Sequence, residues 1–84
     1  MNLYLISQEA NYTYETYDSA VVCTPDEETA RNMYPGDGTD MNSDSWLDRF
    51  NCWCSSPDQV TVQYLGKADE SIKQGVVLAS YNAG

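Results

Sequence analysis

The sequence predicts an α+β fold. The expected architecture is a single sheet of three or four mostly antiparallel strands with one main helix packed on one face, in the order β-β-α-loop-β-β. Three observations lead there. Short strand-like segments stand towards both ends of the chain. One segment, opening at Thr24, carries helix-start chemistry. Eighty-four residues, 12% of them aromatic, are enough for one core and no more, so residues 1–84 form a single domain.

The elements follow in order. Asn2 to Ser7 places Leu3 and Leu5 on one side and Tyr4 and Ile6 on the other, a pattern apolar on both sides that suits a central strand. NYTYETYD (residues 11–18) comes next, with Tyr12 and Tyr14 on one face of an extended chain and Tyr17 on the other. Tyr17 adjoins a second apolar strand, Ser19 to Thr24, and is expected to be structural. Tyr12, Tyr14 and Glu15 are left available to a partner.

Thr24-Pro25-Asp26-Glu27 reads as a capping box with proline at the first helical position. The helix is predicted from Pro25 to Met33, with Ala30, Met33 and Tyr34 towards the sheet, stopped by Pro35-Gly36. Asp37 to Pro57 is an irregular acidic loop with one helical turn expected over Asp44 to Arg49. Gln59 to Lys67 alternates cleanly, Val60, Val62 and Tyr64 to one side. Asp69 to Gln74 predicts a single helical turn capped by Asp69, and Gly75 to Asn82 a last strand.

The charge is uneven. The chain carries a net −9, and residues 9–58 hold all of it, eleven acids against Arg31 and Arg49. Elsewhere Asp69 and Glu70 balance Lys67 and Lys73. Such a field repels nucleic acid and lipid headgroups and attracts basic protein surfaces. Direct nucleic-acid binding and membrane binding are therefore not expected.

Chemistry is constrained by what the chain lacks. With no histidine, the commonest general base and metal ligand are missing, so no enzymatic activity and no catalytic residues are predicted. Cys52-Trp53-Cys54 has the wrong spacing for a zinc site, and Cys23 alone could add a third thiolate. The expected roles are Cys23 as a small core residue and Trp53 packed with one of its flanking cysteines beneath the loop. Asp37 to Asn42 fails the spacing of a calcium loop, and no phosphate-binding glycine motif occurs. No metal and no cofactor are expected. MNLYLISQEA lacks a basic region and a long apolar stretch, which together with three cysteines makes a reducing cytoplasm the expected setting.

What remains is a surface of carboxylates interleaved with aromatics. The candidate partner-binding residues are Tyr12, Tyr14, Glu15, Asp37, Asp40, Asp44, Trp46 and Asp48. Tyrosine and tryptophan anchor interfaces, and carboxylates engage Arg and Lys across them.

Three segments, LYLISQ, YDSAVVCTPDEETAR and YLGKADESIKQGVVLASYNAG, together resemble a family of short acidic proteins carried by phages and prophages. The resemblance as a whole extends over about two-thirds of the chain, of which these segments are the quoted part, and residues 37–56 fall outside it. By class such proteins are similar to anti-CRISPR inhibitors of host defence. The resemblance implies an inhibitor acting in the infected host's cytoplasm, binding the basic surface of a nucleic-acid-handling complex, foremost a CRISPR effector, by acidic DNA mimicry. Two other classes stand beside it: a protein sequestering a small signalling nucleotide in a tyrosine-lined pocket, and a phage accessory protein whose charge serves solubility.

Overall fold

The computed structural model describes residues 1–10, 15–41 and 52–82. Strand β1 (Asn2–Ser7) is doubly apolar and lies inside the sheet, flanked by two strands. Strand β2 (Thr16–Thr24) pairs with it antiparallel, Leu5 opposite Val21 and Ile6 opposite Ala20. Strand β3 (Thr61–Lys67) pairs with the other side of β1, and β4 (Gly75–Asn82) with the other side of β2, both antiparallel. The order across the sheet is β3-β1-β2-β4. The fold is α+β with strands in the majority and one short helix, α1 (Glu27–Arg31).

Four boundaries differ from the sequence expectation, each for a physical reason. β2 begins at Thr16 rather than Ser19, because a bulge at Asp18 breaks the alternation and lets Tyr17 pair with Tyr81. The helix starts later than Pro25. Thr24 pairs with Asn2 at the end of the sheet and is fully buried, its hydroxyl donating to the Asp26 carbonyl at 2.7 Å. Asp26 is the N-cap instead, accepting from the Thr29 amide at 2.8 Å; the Thr29 side chain first, and this amide after it, hold its carboxyl below the usual range. The helix ends at Arg31 rather than Met33, because Met33 forms a bridge with Asp40. β3 begins at Thr61, since Pro57–Gln59 forms a 3₁₀ turn. Asp69 to Gln74 is not a helical turn. Asp69 accepts from the Ser71 amide at 2.9 Å, and the Ile72 amide closes a turn onto the Asp69 carbonyl at 3.0 Å.

One face of the sheet is covered. Tyr4, Ile6, Ala20 and Val22 project from β1 and β2 into a core completed by Ala30, Met33, Tyr34, Met41, Trp53, Cys54 and Val60. Met41 and Trp53 come from the segment expected to be irregular, and both are fully buried. Residues 33–41 fold back tightly: the Gly38 amide donates to the Tyr34 carbonyl and the Tyr34 amide to the Thr39 carbonyl, each at 2.9 Å, while the Met41 amide donates to Asn32. Gly38, at φ +79°, makes this turn possible.

The opposite face is largely open. Leu5, Val21 and Leu78 stand in one row across it, adjacent in register. Cys23 shares this face but is fully buried, because the segment joining β3 to β4 passes over it with the Ile72 carbonyl 3.9 Å from its sulfur.

Candidate protein-binding surface

Water-facing positions received the acids. Eleven carboxylates fall within the described residues, and all eleven are exposed. Glu27 and Glu28 sit in the first turn of α1, where the helix dipole favours them. Asp26 and Asp69 cap local backbone. Asp37 accepts from both the amide and the hydroxyl of Thr39, at 2.9 and 2.6 Å, so it shapes the 34–39 turn while remaining exposed. Asp40 and Glu15 are exposed as well.

Cations do little to offset these charges. The Arg31 guanidinium donates through one nitrogen to the main-chain carbonyls of Pro57 and Val60, which ties α1 to the start of β3. Lys67 and Lys73 lie in the β3 to β4 region.

Of the predicted partner-binding set, the structure positions Glu15, Asp37 and Asp40. Tyr12, Tyr14, Asp44, Trp46 and Asp48, and the turn expected at 44–49, lie outside the described residues. Glu15 and Asp37 are not brought together. Glu15 sits at the C-terminal end of β4, its amide bonded to the Asn82 carbonyl and its backbone at φ +63°. Asp37 precedes Gly38, which lies against Gly75 and Val76 at the opposite end of the same strand. An eight-residue strand separates the two by roughly 20 Å.

Tyr17 is half-buried within β2, its ring 5.8 Å from that of Tyr34 and 4.7 Å from that of Tyr81. Tyr17 therefore packs on both of the other rings. Desolvation, and after it the charge of Glu15, holds the Tyr81 phenol above its ordinary range.

Cys23, Cys52 and Cys54 are free thiols. Burial pushes the Cys54 thiol up to about 11, so at neutral pH it is a protonated core group rather than a thiolate. Among the described residues no group of three or more His, Cys, Asp or Glu is placed to hold a metal ion. Nor is any helix among them long and apolar enough to cross a membrane.

Sequence reasoning treated β4 as one more strand and missed its position at the sheet edge. Val77, Leu78 and Tyr81 are 49, 70 and 46% exposed. The available signal was Gly75 to Asn82 itself, eight residues without an Asp, Glu, Lys or Arg in a chain otherwise rich in acids.

Compared with family models, curated proteins and solved structures, the chain matches none.

Proposed function

We propose that the chain is a non-enzymatic inhibitor of host defence, of the phage-borne class its sequence resembles, acting by occlusion. Its carboxylates take the place of nucleic-acid phosphates against Arg and Lys on a host nucleic-acid-handling complex, with a CRISPR effector as the favoured target. Tyrosine and tryptophan supply the packed contacts. One observation carries the reading: every acid among the described residues is exposed, while Arg31 is committed to backbone carbonyls. A surface so arranged keeps its field directed outward.

The test is inhibition of target-DNA binding by the effector, measured across a salt series with the parent and with a variant carrying Asp40→Lys, Asp44→Lys and Asp48→Lys. The parent should inhibit less as salt rises. The variant should lose inhibition while keeping the parent's melting temperature. Full inhibition by the variant would refute mimicry through these acids.

A further inference from the structure

The sheet has two edges, and they differ in charge. β3 ends in Lys67 and has Arg31 bound beside its start, at the Val60 carbonyl. A charge on an edge strand discourages further pairing. β4 carries no Asp, Glu, Lys or Arg along its length, and among the described residues only β2 pairs with it. A bulge at Val77 interrupts its register with β2, which leaves residues 78–82 as the regular part of the edge.

Acids flank this neutral edge at both ends. Asp37 lies beside Gly75 and Val76 through its neighbour Gly38. Glu15 bonds to Asn82, and Asp18 stands in the bulge between the Tyr17–Tyr81 and Ser19–Ser80 pairs. All three side chains are exposed.

We infer that the β4 edge is a docking site for an extended strand of a partner protein, apolar at its centre and bearing Lys or Arg at both ends. The added strand continues the sheet by backbone hydrogen bonds. Its side chains on the open face rest against Leu78 and the shallow depression that Leu78 shares with Leu5 and Val21. Those on the other face meet Ala79 and Tyr81. Its basic ends meet Asp37 on one side and Glu15 and Asp18 on the other. A second copy is disfavoured as the occupant, because two-fold antiparallel pairing of β4 with itself would bring Asp37 of one copy towards Glu15 and Asp18 of the other. The inference deepens the function proposed above and rests on it for the basic character of the partner.

The probe is a fluorescent peptide of alternating valine and threonine with two lysines at each end, titrated with the protein and followed by anisotropy. Two control peptides carry glutamates in place of the lysines or N-methylated central amides. The lysine-ended peptide should bind at least about tenfold more tightly than either control. Leu78→Lys should weaken it by a similar factor without lowering the melting temperature, and hydrogen exchange should slow at residues 78–82 when the peptide is bound. Equal binding of the lysine- and glutamate-ended peptides, or undiminished binding after N-methylation, overturns the site. So does a dimer of the protein alone with protected β4 amides, which would make a second copy the occupant. Peptide discrimination together with undiminished inhibition by the loop charge-reversal variant would keep the strand site and sink mimicry through the loop acids. The reverse pair of results would sink the strand site alone.

Discussion

The two faces of the sheet are built from the same kinds of residue and meet opposite fates. On one, Ile6, Ala20 and Val22 are at most 2% exposed beneath Met33, Tyr34, Met41 and Trp53. On the other, Leu5 and Val21 are half-buried and Leu78 is 70% exposed. Strand alternation makes both faces apolar; Ala30, Met33, Tyr34, Met41, Trp53 and Cys54 from the β2–β3 connection cover one, while on the other the β3–β4 connection passes over Cys23. Burial, and with it stability, is therefore expected to reside on the first face, leaving the second available for contacts.

The comparison is tested most severely at Trp53. It is fully buried although it comes from a segment without regular periodicity. Trp53→Ala should cost about 3–5 kcal/mol, against a total for a domain of this size of roughly 4–13 kcal/mol. Urea denaturation followed by circular dichroism should show unfolding free energy lowered by that amount, which unfolds the variant outright at the bottom of the range. A variant as stable as the parent would mean that the connection does not seal the covered face.

A paired measurement sharpens the contrast. Ile6→Ala should lower unfolding free energy by about 2–5 kcal/mol, whereas Leu78→Ala should change it by no more than about 0.5 kcal/mol. Similar losses at both positions would show that the open face is covered in solution.

The smallest effect is read from pH. Cys54 ionises near 9.0 when unfolded and only at about 11 in the fold. A raised folded value contributes stability in full below pH 9, and that contribution is lost as pH climbs towards 11. Denaturant midpoints at about pH 8 and about pH 10.5 should fall further for the parent than for Cys54→Ala, by on the order of 1 kcal/mol once solvent screening is allowed for. Equal falls would place the thiol in contact with water.

Glu15, Asp37 and Asp40 could be singled out because carboxylates outside the helix and strand patterns stand out locally. Their bracketing of β4 could not, because it depends on Gly38 reaching Gly75 and on the Glu15 amide reaching Asn82, contacts between segments far apart in the chain.

Local pattern by itself determined much of this protein. Asn2–Ser7 and Gly75–Asn82 are strands with the boundaries their alternation announces, and a segment apolar on both sides belongs inside a sheet. Ala30 faces the core from the helix, and Met33 and Tyr34 join it from beyond the helix's end. The tertiary structure decided where local pattern gave another answer or none. The capping box read at Thr24 gives way, because Thr24 pairs with Asn2 and Asp26 takes the N-cap. Met41 and Trp53 carry no period, and they become core because the chain folding back over β1 and β2 excludes water from them. The order β3-β1-β2-β4, which makes an uncharged strand an edge, depends on how distant segments pair, and no local spacing of residues encodes it.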